Sequence, residues 1–437
     1  MNSVWQQLFG ALHHWRQGSW LLQWSEAIGA ILISLVFLLS PFFATALSGI
    51  LLLACGSYWL LLILADEGQV RLTLIHIFVL VYWSVAVIAT AFSPVRDAAI
   101  SGLIILSLYL LLFGLTAKVL RNSKLRSWVI AAYLLVALVV SIYGIRQQIF
   151  GVAQLATWND PASALARDTR VYSYLGNPNL LAGYLVPAVT LSLAALLVWR
   201  SWMQKMLAAT MVVLNSACLY FTDSRGGWLA LLVALIVFAL LCYYWFLDYL
   251  SPFWRVWLLP IVFSIFAGLL VCAVMVVEPL RLRLMSIFVG RRDSSNNFRI
   301  NVWEAVFKMI QERPLVGIGP GNDAFNQVYP LYMNPGYPAL SAYSIFLETT
   351  VEMGFVGLAA FVSVILASLR QGLVYMRRLR QSFDNQAFWL VAALAAMAGL
   401  IMQGLFDTVW YRPQINTLWW LLVGLIASYD TKAVKKS

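Results

Sequence analysis

Residues 231–247 read LLVALIVFALLCYYWFL, a run with no charged residue and no alternation of apolar and polar side chains. A strand of a membrane barrel would alternate over about ten residues. In hydrocarbon every backbone N–H and C=O must be bonded within its own segment, so a continuous apolar run there is a helix. With its neighbours this run reaches the length of about 20 residues that crosses roughly 30 Å of hydrocarbon. Working outward, similar runs recur from Ala27 to Ser428, and 62% of the 437 residues are hydrophobic against 11% charged. The sequence therefore predicts an all-α polytopic membrane protein with about 12 transmembrane helices: 26–41, 42–65, 72–92, 97–120, 126–150, 175–198, 204–221, 226–247, 254–277, 343–372, 386–406 and 414–429. The first two run together at SPFFA, where Pro41 marks a turn.

An even number of spans puts both termini on one face. Most basic residues of the short connections fall on that face, Lys118, Arg121, Lys124, Arg377, Arg378 and Arg380 among them. Short-loop Lys and Arg mark the cytoplasmic side, so both termini are expected in the cytoplasm. The net charge of +11 then reflects basic loops beside anionic membrane lipids, and no nucleic-acid partner is needed. Val4, Trp5, Leu8, Phe9, Leu12 and Trp15 share one helical face, so 1–25 is expected to be a cytoplasmic interfacial helix. The transmembrane domain is expected over 26–429, and 430–437 is a basic cytoplasmic tail. Cys55, Cys218, Cys242 and Cys272 lie in apolar runs without a CxxC spacing, and the three histidines form no zinc-type cluster. No metal or cofactor is expected.

The polar residues gather on the outer face. One loop, 151–174, leads into GNPN at 176–179, where Asn177 or Asn179 can cap the next helix and Pro178 suits its first position. TDSRGGW, 222–228, holds Arg225 on a short tether. The long extracytoplasmic loop 278–342, between spans 9 and 10, contains RRDSSNNFRIN at 291–301. After it Phe298, Val302, Ala305, Val306, Met309 and Ile310 share a face, which predicts an amphipathic helix of three to four turns, capped by Asn296 or Asn297 and stopped by Pro314. PLVGIGPGN, 314–322, superficially resembles a phosphate loop, but no strand precedes it and Pro320 removes a donor, so it reads as a turn. Arginine is a permanently charged fork that matches phosphate, carboxylate or carbonate oxygens. Arg170, Arg225, Arg292 and Arg299, with Asn177 and Asn179, are the candidate anion site. Ionisable residues inside spans are costly and mark function by default. Glu348 and Glu352, one turn apart, and Asp407 at the end of the eleventh span, are the intramembrane acidic candidates, with Glu352 roughly 13 Å in from Tyr343.

GNPNLLAGY at 176–184, DSRGGW at 223–228, Arg299 with Trp303, PLVGIGPGN at 314–322, Leu347-Glu348 and EMGFVG at 352–357 resemble the O-antigen ligase and polymerase superfamily. The resemblance implies an inner-membrane protein that transfers a glycan from a lipid-linked diphosphate, with arginines holding the diphosphate. The ligases carry a catalytic histidine before the tenth span. Here SAYSIFLE, 341–348, puts Tyr343 in that position, and an ordinary tyrosine, with a pKa near 10, is a poor base at neutral pH. This argues against a histidine-dependent ligase, and the catalytic residues are left open. Longer strings, among them RVYSYLGNPNLLAGYLVP, SIFVGRRDSSNNFRINVW and GLFDTVWYRPQINTLWW, resemble the cyanobacterial inorganic carbon transport protein B subfamily, whose members are named as bicarbonate transporters. That resemblance implies inorganic carbon (bicarbonate) transport in the plasma or thylakoid membrane. Glycosyl transfer from an isoprenoid-diphosphate-linked glycan is the alternative, and a non-catalytic accessory membrane protein a second one.

Overall fold

The structure, a computed structural model, describes residues 24–43, 45–65, 72–153, 170–276, 290–407 and 409–430, with single positions 278, 281 and 285. The expected interfacial helix and basic tail fall almost wholly outside these residues. So do parts of both outer loops and the side chain of Arg292. Among the described residues the chain is helical, with no strand.

Every segment expected to span is a helix. They are α1 (Ser25–Leu39), α2 (Thr45–Ala65), α3 (Leu74–Ala91), α4 (Arg96–Val119), α5 (Ser123–Phe150), α6 (Pro178–Val198), α7 (Trp202–Phe221), α8 (Arg225–Phe246) and α9 (Pro252–Val276). Two outer helices follow, α10 (Ser294–Glu312) and α11 (Asn322–Val328), then α12 (Ile345–Gln381), α13 (Ala387–Gly404) and α14 (Pro413–Ala427). Eight of the described helices are long and apolar enough to cross a bilayer. Of the other expected spans, α1, α14 and the apolar part of α9 are shorter, and α7 is less apolar. The protein is thus a multi-pass membrane protein by length and composition.

Helices α6 and α13 form the centre. They pack on each other, α8 packs on both, and α7 backs α6. Around them α3 lies along α12, and α4 along α2 and α14. Small residues allow the close approach: a Cβ on Gly227 would sit 2.4 Å from the Cβ of Ala182, so α8 rests nearly backbone to backbone on α6. Ile77, Leu80, Ile88, Ile104, Val139 and Ile142 point outward and exposed. An apolar exterior around an apolar interior fits lipid as the surrounding solvent.

The outer helices have a core of their own. Val302, Val306, Met309, Ile318, Phe325 and Tyr329 bury against one another and against Val351 of α12. The face expected of α10 is the face it buries, but the helix has 19 residues rather than three to four turns, because its cap is Asp293 and not Asn296 or Asn297. The Asp293 carboxylate accepts the Asn296 N–H at 2.9 Å.

Helix α12 is broken at Gly354, where φ is +67 and ψ −174. The turn 314–321 docks into the break. Phe355 N–H donates to Pro314 O at 2.7 Å, and the N–H groups of Ile318 and Gly319 donate to the carbonyls of Val351 and Glu352 at 2.9 and 2.8 Å. The loop that superficially resembled a phosphate cradle spends these amides on α12. Ser93, in the α3–α4 turn, donates to Ile318 O at 2.5 Å. The break is thereby tied to the outer turn between α3 and α4, while the Glu352 side chain lines a cavity with Tyr82 of α3 and Tyr109 of α4.

Candidate functional site

Four chain segments meet at the outer end of the central helices. The first is the start of α6. Asn177 caps it, accepting the N–H groups of Asn179 and Leu180 at 2.8 and 3.2 Å. Arg170 donates to Asn179 Oδ1 and to Thr222 O, both at 3.1 Å. Gln403, near the end of α13, donates to Asn179 O at 2.8 Å. The sequence-predicted Arg170, Asn177 and Asn179 are thus brought together, and these bonds fasten α6, α13 and the α7–α8 turn to one another.

The second segment is the start of α8. Ser224 caps it through Gly227 N–H at 3.2 Å, and Arg225 is its first residue. The third is α10. Arg225 Nη2 pairs with Asp293 Oδ1 at 3.0 Å, and both side chains are mostly buried. One carboxylate thus caps the roof helix and ties it to the bundle. Arg299 lies on the same helix, donating from Nη1 to Ser295 Oγ at 2.8 Å, while its buried Nε meets no protein acceptor. Burial pulls the Arg299 guanidinium below its usual range; the nearby Asp407 carboxylate opposes this, and Arg225 adds to it.

The fourth segment brings Tyr343 and Asp407. Asp407 is 8% exposed just beyond α13. Tyr343 precedes α12 and stacks edge-on to Phe298 at 5.4 Å. Burial raises its phenol above the ordinary tyrosine value, the charges of Asp407 and Tyr411 raise it further, and Arg299 lowers it. A phenol raised further above neutral pH is a still poorer base there than an ordinary tyrosine. Its φ is +50; Ser173 and Asp223, also at this end, have φ of +51 and +52. A bulky residue in the left-handed region is uncommon, and such strain collects at functional sites.

Glu348 is 5% exposed, and its Oε2 accepts the Ala342 N–H. Glu352 lines one cavity with Gly321 and Glu348. Two other loop arginines are spent on structure: Arg291 pairs with Glu304, and Arg313 donates to Phe92 O at 3.1 Å, while the Arg292 side chain lies outside the described residues. Among the described residues no cluster of three or more His, Cys, Asp or Glu could hold a metal ion. Sequence reasoning missed Asp293, Gln403 and Tyr411. Only Asp293 left a signal, as an Asp-Ser-Ser helix start; Gln403 and Tyr411 join the site through tertiary contacts.

The arrangement brings two arginines on adjoining helices, a carboxylate and a phenol within electrostatic influence of one another. It can hold an oxyanion beside a proton acceptor. Residues 210–362, from α7 to just beyond the break in α12, match the family model described as O-antigen ligase. The matched stretch carries Arg225, Asp293, Arg299, Tyr343, Glu348 and Glu352, and it supports the superfamily resemblance. None of the curated proteins matches the chain.

Proposed function

We propose that the protein transfers a glycan from an isoprenoid-linked diphosphate to an acceptor hydroxyl at the outer face of the membrane. The observation that carries this reading is the convergence of Arg225 and Arg299 with Asp407 and Tyr343, roofed by α10, in a chain whose central region matches O-antigen ligase. The arginines would hold the diphosphate. The acceptor oxygen bonds to the anomeric carbon, the bond from that carbon to the diphosphate oxygen breaks, and its electron pair leaves with the diphosphate. Asp407, not Tyr343, takes the acceptor proton, and the phenol donates a hydrogen bond. Removing one donor to a developing oxyanion typically costs 10²–10³ in rate. In proteoliposomes given a radiolabelled lipid-linked glycan, Arg299→Ala and Asp407→Asn are each expected to lower product formation by about that factor. Full transfer by folded Arg299→Ala protein would sink the reading.

Inorganic carbon transport is the second reading, implied by the subfamily resemblance. One observation favours it: α12 is discontinuous at Gly354, and broken helices build substrate and ion sites in transporters. Uptake of radiolabelled bicarbonate that needs Arg225, without glycan transfer, would make it the better account.

A further inference from the structure

Beside the arginine site lies a cavity of about 170 Å³ between α3, α4, the first part of α12 and α14. Its volume is several times the share of one liquid water, about 30 Å³. Among the described residues that line it, the charged ones are Glu348, Glu352 and Asp323, with no Lys, Arg or His. Glu348 and Glu352 stand one helical turn apart on α12. Two such carboxylates repel each other, and burial penalises each charge unless an opposite charge stands nearby. The lining supplies none, and an anion is repelled there.

Two phenols point the same way. Tyr82 on α3 and Tyr109 on α4 are 8% and 3% exposed, and both line the cavity. Neither hydroxyl has a hydrogen-bond partner among the described residues, and neither is sealed off from the cavity as Glu348 Oε1 is. Buried polar groups left in this state are costly until a ligand or water meets them. The Glu352 carboxylate is likewise open to the cavity. The wall beside these groups is aromatic: the Phe361 ring lies 5.9, 6.0 and 6.1 Å from those of Tyr82, Trp410 and Trp419. A metal ion suits this lining poorly. Among the described residues no three acidic, His or Cys side chains could hold one, and the Val351 and Glu352 carbonyls at the helix break already accept the Ile318 and Gly319 N–H groups. Water meets the phenols but leaves the carboxylates without a counter-charge. An organic ammonium meets every condition: its N–H groups donate to carboxylate and phenol oxygens, its charge offsets the carboxylates, and aromatic faces attract it.

We infer that this cavity binds a small organic ammonium, a protonated primary amine whose N–H groups donate to Glu352 and to the Tyr82 and Tyr109 hydroxyls while its carbon chain lies against Phe361. Glu348 acts through its charge from one turn away, its Oε2 being held by the Ala342 N–H. Asp323, exposed on α11, adds a third negative charge from the outer side. The amine is either a free solute or the aminoethyl headgroup of a lipid, which share this chemistry. The inference does not rest on the transfer reading.

The test is saturation-transfer NMR on the full chain in phosphatidylglycerol nanodiscs, with propylammonium as the probe, 1-propanol as its neutral counterpart and empty nanodiscs as the lipid control. Glu352→Gln removes the charge and keeps the shape, and Tyr82→Phe removes only a hydroxyl; gel filtration and melting temperature check that both fold. Should Glu352→Gln fail to fold, the pair Tyr82→Phe with Tyr109→Phe takes its place. The expected result is protein-dependent transfer to the propyl protons, with affinity weakened about tenfold or more in Glu352→Gln and measurably in Tyr82→Phe, and no transfer to 1-propanol. No transfer from propylammonium with folded protein, equal transfer from 1-propanol, a wild-type affinity in Glu352→Gln, or displacement of propylammonium by equimolar sodium overturns the inference. Phosphatidylethanolamine added to the nanodiscs then separates the two sources. Loss of the propylammonium signal assigns the site to the lipid headgroup, and an unchanged signal assigns it to a soluble amine.

Discussion

At the scale of single residues, two side chains carry more than one duty, and each gives a test. Asp293 caps α10 and pairs with Arg225. Asparagine caps about as well as aspartate, whereas alanine forfeits the cap at about 0.5–2 kcal/mol. Asp293→Asn should therefore lose only the ion pair and Asp293→Ala both, so the alanine variant should melt at the lower temperature in the same detergent. Equal melting temperatures would show that the cap contributes nothing. Tyr343 gives the second test. Its phenol is raised above the ordinary tyrosine value of 10.0, so the native state binds the proton more tightly than the unfolded chain. That stabilisation is complete below pH 10 and is lost as pH rises from there through the native value. The melting-temperature gap between wild type and Tyr343→Phe should stay constant up to about pH 10 and shift towards the variant above it. A gap that changes between pH 6 and 9 would mean the phenol titrates there, and Tyr343 would return as a candidate base.

At the scale of elements, the broken helix holds the site in place. A Cβ on Gly354 would lie 2.1 Å from the carbonyl carbon and oxygen of Leu315. Gly354→Ala must therefore expel the 314–321 turn as well as adopt a left-handed φ, which alone costs about 1–3 kcal/mol. The expected outcome is a lower melting temperature and faster proteolysis within 314–342. Wild-type values would show that the turn does not depend on the break. None of this was legible in the sequence. EMGFVG, 352–357, reads as uninterrupted helix because glycine is frequent in membrane helices. Its partner loop lies some 35 residues earlier in the chain, and nothing local announces the contact. The amphipathic face of α10 was legible, since one period of apolar side chains decides it. Its true start was not, because RRDSSNN offers several capping residues and tertiary pairing with Arg225 selects among them.

At the scale of the whole molecule, the helical segments were legible because hydrocarbon permits little else, while their assembly into a site depended on contacts between distant spans. Orientation follows from charge and can be tested directly. Arg380 pairs with Asp248 at 2.5 Å, so the ends of α8 and α12 lie together, at the end opposite Arg225 and Tyr343. With Arg377 and Arg378 alongside, that end should face the cytoplasm. Leu331 is 79% exposed in the outer region, and Ser382 is exposed in the α12–α13 turn. The native cysteines leave a low background: Cys55 and Cys218 are buried, Cys242 is half-buried, and the exposed Cys272 lies on the apolar α9, where it can be replaced by serine. In intact cells a membrane-impermeant maleimide should label Leu331→Cys, and it should label Ser382→Cys only after permeabilisation. The reverse pattern would place the arginine site on the cytoplasmic side. There it would meet cytoplasmic anions and not a lipid-linked glycan presented outside, and both the transfer reading and the entry of bicarbonate from outside would fall together.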